Sequence, residues 1–205
     1  MLRWLWVPMI TSMIFFPEKE FYETPESYGF QYEDVSLETS DGIRLHGWYL
    51  EGSRGAVSLP AGRQAHPENS GLGDPATTLL FLHGNAGNIS HRLFKVKGCI
   101  YRGFNVFLVD YRSYGQSEGG ITHEENLMLD GKAALDWLVN QKQVSFEKLV
   151  IYGESLGSYV AIRLATEHPP AALILEAPFT SFVELADKHY PIFSLVGARR
   201  AVPLL

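Results

Sequence analysis

From Thr77 onward the chain alternates short apolar runs with helical segments, and no other feature restricts its fold as much. The runs are "TTLLFLH", "FNVFLVDY", "KLVIYG" and "AALILEAP". Each is apolar at successive positions, as expected of a strand buried on both faces rather than one with a wet side. The clearest helical segment begins after Thr122, where Thr122 and Glu125 have capping-box spacing. Behind it Leu127, Ala134 and Leu138, with Ala133 and Trp137, recur at helical intervals and read as a core-packing stripe. Strands alternating with helices imply an α/β architecture, a mostly parallel sheet with helices on both faces.

Upstream, "YEDVSLETSDGIRLHGWYL" reads as a hairpin, two β-rich runs around the turn pair Asp41-Gly42. Residues 52–76 are rich in glycine and proline without periodicity, hence a long loop that carries His66 as an exposed residue. With 205 residues, 46% hydrophobic and 20% charged, the chain suits one domain with a real core. A net charge of -6 with scattered basic residues leaves no footprint for nucleic acid. Cys99 is the single cysteine, so no internal disulfide and no cysteine-based metal site is expected. It reads as a small buried apolar residue.

Residues 1–20 stand apart from the domain expected over 21–205. An apolar run from Trp4 to Phe16 follows Arg3. The run is shorter than the ~20 residues a spanning helix needs, and no small-x-small cleavage site follows it. Two readings stay open: an interfacial anchor with tryptophans in the headgroup zone, or a segment packed on the domain. The corresponding locations are membrane-associated or cytoplasmic.

The motif G-x-S-x-G, which marks a nucleophilic serine, occurs twice, as Gly115-Gln116-Ser117-Glu118-Gly119 and Gly153-Glu154-Ser155-Leu156-Gly157. A nucleophile elbow places its serine on a sharp turn between the end of a buried strand and the start of a helix. Ser155 has that context, because "LVIY" runs into Gly153 and "LGSYVAIRLATEH" is helical at once. Ser117 lacks it and reads as a turn residue in a flexible loop. The oxyanion formed by acyl transfer needs two donors. The Leu156 N–H is expected to be one, at a helix N-terminus. The Asn85 N–H, in the turn "FLHGNAGNIS", is the natural second. No phosphate-binding glycine loop is present in the sequence.

"FLHGNAGNI", "VDYRSYGQSEG", "YGESLGSYVA" and "EAPFTSF", in this order and spacing, resemble the α/β-hydrolase family. They are most similar to its serine-aminopeptidase-like branch, which includes membrane-linked lysophospholipases and protein depalmitoylating thioesterases. The similarity covers roughly residues 20 to 195. It implies that "DYRSYGQSEG" is a structural loop near the site and that residues 179–197 begin a cap, and it implies no metal or organic cofactor.

A nucleophilic serine needs a histidine base and a carboxylate to orient it, in the chain order serine, acid, histidine. His168 lies at the far end of the helix that begins at Ser155, about 20 Å away. His189 falls in the cap segment. Glu176 ends the strand "AALILEAP", whereas the resemblance puts the acid and the histidine after two further strands. The expectation is therefore a serine hydrolase scaffold lacking its last two strand-helix units, crippled as written. It would act on an ester, thioester or amide of a small acyl substrate, such as a lipid or an acylated protein. A membrane contact through residues 4–16 belongs with that reading. The rival is a non-catalytic binding or scaffold protein that kept the fold.

Overall fold

Among the described residues, 15–52 and 77–179 of a computed structural model, the apolar runs assemble into one six-stranded sheet. The strands are β1 (Phe16–Pro17), β2 (Tyr32–Glu38), β3 (Arg44–Leu50), β4 (Thr78–Leu82), β5 (Ala86–Gly87), β6 (Asn105–Val109), β7 (Leu149–Glu154) and β8 (Ala172–Glu176). The helices are α1 (Leu93–Ile100), α2 (Glu124–Asn140) and α3 (Leu156–Glu167). The large sheet has the order β2-β3-β6-β4-β7-β8, while β1 and β5 form a two-residue parallel pair beside it. Pairing is antiparallel for β2–β3 and β3–β6 and parallel across β6–β4–β7–β8. The anchor segment apart from residues 15 and 16, His66 with its loop, and the cap beyond Phe179 with His189 lie outside the described residues.

Alternation along each strand makes two cores. Leu80, Leu82, Phe107, Val109 and Ile151 face one side, where Leu127 and Leu138 of α2 and Val160 and Leu164 of α3 cover them. Leu79, Phe81, Val106 and Leu108 face the other, under Leu93, Val96 and Ile100 of α1. Leu80, Leu82, Phe107 and Leu108 are wholly buried, and each such side chain contributes roughly 1.5–3 kcal/mol. The β4–β6 centre of the sheet is thus the rigid element from which the site is built.

Three local expectations shift. The hairpin closes with Glu38 opposite Arg44, leaving residues 39–43 as its connection. Gly42 takes φ 79° there and donates its N–H to Thr39 O at 2.9 Å, a left-handed position that glycine adopts without cost. The cap of α2 falls on His123 and Asn126 rather than Thr122 and Glu125. Asn126 Oδ1 accepts both the Thr122 and the His123 N–H, at 2.9 and 3.0 Å, and the shorter amide reaches back where Glu125 would point outward. Cys99 is half-buried, and burial pushes its thiol up.

β8 also departs from a doubly buried strand. Its only neighbour among the described residues is β7, and Leu173 and Ile174 are 39% and 44% exposed.

One buried ion cluster ties the loop after β6 to two other elements. Arg112 donates from its backbone N–H and its Nε to Asp130 of α2, at 2.9 and 2.8 Å. Its Nη1 reaches Asp41 of the hairpin connection at 2.8 Å.

Candidate active site

β7 runs straight into Ser155, and α3 starts at the next residue. Ser155 lies between them at φ 49° and ψ −107°, a conformation that costs a non-glycine residue of order 1–3 kcal/mol and persists only where the surroundings enforce it. Here three hydrogen bonds enforce it. The Ser155 N–H donates to Glu176 O at 2.8 Å, the Ser158 N–H to Ser155 O at 2.9 Å, and the Ser158 hydroxyl to Gly153 O at 2.9 Å.

The flanking glycines are required by close approach. A Cβ on Gly153 would lie 2.6 Å from Gly157 O and 2.7 Å from Ala161 Cβ. A Cβ on Gly157 would lie 1.9 Å from Leu82 O. The start of α3 therefore rests directly on the end of β4, where the turn His83-Gly84-Asn85 begins. The fold thereby makes neighbours of the turn at Leu156 and the turn that follows β4.

A charged cluster braces these two turns. Glu154 and Glu176 stand opposite each other across β7 and β8, a like-charge arrangement that repels unless neutralised. Lys95 of α1 bridges them, reaching Glu154 and the two Glu176 oxygens, the latter at 2.9 and 3.0 Å. Arg92 donates to Glu154 Oε2 at 2.9 Å, and the Gly84 N–H donates to the same atom at 3.1 Å. Burial pushes the Glu154 carboxyl up, but the Lys95 hydrogen bond and the Arg92 charge overcome it and hold it at about 2. Glu176 is held low by its hydrogen bonds from Tyr152 and Lys95. Glu154 is thus a fixed anion that ties the Asn85 turn to the residue before Ser155.

That depressed value has a measurable consequence. A carboxylate held below its unfolded value stabilises the fold above that value, and the contribution is lost as pH falls toward the folded one. The share due to Glu154 should disappear between about pH 4.5 and about pH 2. Glu154→Gln should flatten this acid limb in urea unfolding followed against pH. An unchanged limb would show that Glu154 is not held this way.

Ser117 has a different environment from the one its sequence suggests. It is 1% exposed, its hydroxyl donates to Asp110 O at 2.7 Å, and its Oγ accepts the His46 N–H at 2.9 Å. It is a buried strut between the end of β6 and β3, not a residue of a flexible turn. His168 caps the far end of α3 and stacks on Phe146 with ring centroids 5.7 Å apart. The helix between it and Ser155 is 12 residues long, about 18 Å at the helical rise.

The described end of the N-terminal segment touches the same region. Phe15 is buried, β1 pairs with β5, and the Phe16 N–H lies 3.3 Å from Asn85 Oδ1. Tyr114 OH donates to Asn85 O and Oδ1 at 2.7 and 2.8 Å. No helix among the described residues is long and apolar enough to cross a membrane. No group of three or more His, Cys, Asp or Glu there could hold a metal ion. Tyr114, His83 and Asp110 were not singled out from the sequence. The "FLHG" and "VDYRSYG" stretches mark the turns that carry them, but nothing local shows that these turns meet.

Residues 77–199 match the model of a family described as the alpha/beta hydrolase fold. An uncharacterised protein of Mycobacterium tuberculosis is 40% identical over 158 residues, which are 77% of this chain and 50% of that protein. The alpha/beta hydrolase domain-containing protein WAV2 of Arabidopsis thaliana is 35% identical over 190 residues, 91% of this chain and 54% of its own. The chain thus spans about half the length of these curated relatives. Among solved structures, an esterase of Pyrococcus furiosus is similar in fold, with a TM-score of 0.64 at 22% identity, covering 93% of this chain and 67% of that one. A strained serine between β7 and α3, the glycine contacts around it and the matched family together give one conclusion: this chain belongs to the alpha/beta hydrolase fold family.

Proposed function

We propose that Ser155 is the nucleophile of a serine hydrolase that cleaves an ester, thioester or amide through an acyl-enzyme. The Leu156 and Asn85 N–H groups would hold the oxyanion. The observation that carries this reading is the enforced turn at Ser155, which places the hydroxyl between a buried strand and a helix N-terminus. Oriented N–H donors there stabilise charge that develops only in the transition state. An ester takes support from the fold likeness to the Pyrococcus furiosus esterase. The family resemblance would place the carboxylate and the histidine base after two strands that follow β8. The expected substrate is a small acyl compound, such as a lipid or an acylated protein; Phe15 and Phe16 pack on the domain, so of residues 4–16 only those before Phe15 would contact a membrane surface.

The test is labelling of the full-length protein with a fluorophosphonate probe. Ser155→Ala should abolish labelling and Ser117→Ala should retain it. The second variant should still lose about 1–3 kcal/mol, because the buried Asp110 O and His46 N–H each lose a partner. Labelling that vanishes only in Ser117→Ala would overturn the assignment. An unmodified, folded protein that never labels would favour a binding protein on a hydrolase fold.

A further inference from the structure

We propose that His83 is a positioning residue for the oxyanion donor at Asn85, and that Asp110 holds its ring in place. The inference rests on the serine-hydrolase reading above, since it assigns a role within that site.

His83 ends the chain's path out of β4 and is wholly buried. Its Nδ1 lies 2.7 Å from Gly84 O. A carbonyl oxygen can only accept, so Nδ1 carries the hydrogen. The Gly84 carbonyl and the Asn85 N–H belong to the same planar peptide, and in a trans peptide they point in opposite directions. By gripping the oxygen, the imidazole fixes the plane and so aims the Asn85 N–H. The same hydrogen bond draws electron density toward the carbonyl and strengthens that N–H as a donor, as chained hydrogen bonds do in a low-dielectric interior. Tyr114 OH grips the next carbonyl, Asn85 O. The donor peptide is therefore held by one ring on its own oxygen and by a second on the carbonyl that follows.

The other ring nitrogen decides how firmly this works. Nε2 faces Asp110 Oδ1 at 3.4 Å, an ion-pair distance longer than a hydrogen bond, and both side chains are wholly buried. Nε2 has no hydrogen-bond partner. Asp110 thus stands against the ring edge remote from Gly84 O. Asp110 cannot turn away, because Oδ1 also accepts the Ile89 N–H at 2.9 Å, and its backbone N–H donates to His46 O at 2.9 Å. The rings of Tyr111 and Tyr114 wall the imidazole in, with centroids 4.7 and 5.0 Å away. Walled in by these rings and abutted by Asp110, the imidazole keeps its Nδ1–H on Gly84 O.

The test combines a tautomer measurement with kinetics on the full-length protein. Nitrogen-15 histidine spectra should show His83 Nδ1 carrying its hydrogen; a ring with Nδ1 bare would overturn the proposal. His83→Phe keeps a ring but removes both nitrogens. It should lower kcat on a short acyl ester roughly tenfold to hundredfold with KM within about twofold, since the lost alignment acts only in the transition state. The rate of fluorophosphonate labelling should fall in parallel. If this variant does not fold, Asp110→Asn gives the same reading through a milder change: the Nε2 signal should move and kcat should fall. Unmodified protein that labels at Ser155, beside folded variants that react at full rate, would overturn the positioning role alone. Unmodified protein that never labels would overturn the hydrolase reading, and the role with it.

Discussion

Gly157→Ala is expected to cost more than about 3 kcal/mol, a large share of the 5–15 kcal/mol that holds a typical domain together. The added carbon would sit 1.9 Å from Leu82 O, 2.5 Å from Leu82 C and 3.0 Å from His83 O. These are backbone atoms, so no rotamer change relieves the overlap. Nor can β4 yield, since it is paired on one side with β6 and on the other with β7. The helix must lift away instead, and that opens the Leu156, Val160 and Leu164 contacts on the sheet. Lifting α3 by even ~1 Å would also misplace the Leu156 N–H, an error sufficient to cost about a hundredfold in a positioned reaction. Gly103→Ala is the control. Gly103 has φ 88° and no atom within 4 Å of the new carbon, so its loss should be limited to left-handed backbone strain, about 1–2 kcal/mol. Urea midpoints of the two variants compare these costs directly. A Gly157→Ala protein as stable as the control would show that α3 does not approach β4 so closely.

The same contacts explain why parts of the site were legible in the sequence and others were not. The α/β layering could be read because each strand in the centre of the sheet is apolar at successive positions, which requires cover on both faces. The Ser155 turn could be read because its glycines fall flush between a strand and a helix, and that local constraint leaves a local trace. Ser117 repeats the motif letter for letter, yet its hydroxyl spans from Asp110 to His46, a partner 71 positions away in the chain. No local pattern records such a span. The α2 cap moved by one residue because Asn126, also a capping residue type, outcompeted Glu125 for the same N–H groups. β8 reads as a doubly buried strand because its composition is set by the apolar character of a sheet interior, whereas its exposure depends on what stands beside it. The Lys95 bridge between Glu154 and Glu176 is invisible for another reason. Its three charges look like ordinary surface residues until strand register places the two carboxylates side by side.

Arg112→Met should cost about 3–5 kcal/mol, because it leaves a buried carboxylate without its cation. Methionine keeps most of the apolar stem, so the loss reports on charge rather than on a cavity. Asp130 is wholly buried and would retain only the backbone N–H of residue 112, at 2.9 Å. Burial already pushes its carboxyl up to about 6 against the pull of the Arg112 guanidinium. The folded state therefore binds this proton more tightly than the unfolded chain does. Stability from the site is greatest below the unfolded value of about 4 and fades as pH rises toward about 6. Without Arg112 the opposing pull is gone and the carboxyl moves higher still. The deficit of Arg112→Met should then be largest near pH 8 and shrink toward about pH 5, as Asp130 takes up its proton in the folded state. Asp41 also loses its partner, but it is exposed; although the Arg112 hydrogen bond now holds it at about 2, water takes over that role at little cost. A deficit that does not change with pH would assign the loss to packing or to the hairpin connection. Arg112→Met combined with Asp130→Asn removes the stranded charge but keeps an acceptor for the buried N–H of residue 112, and should recover much of the stability at neutral pH. If recovery occurs only with Asp41 replaced instead, then the hairpin contact carries the stability and the buried Asp130 carboxylate does not.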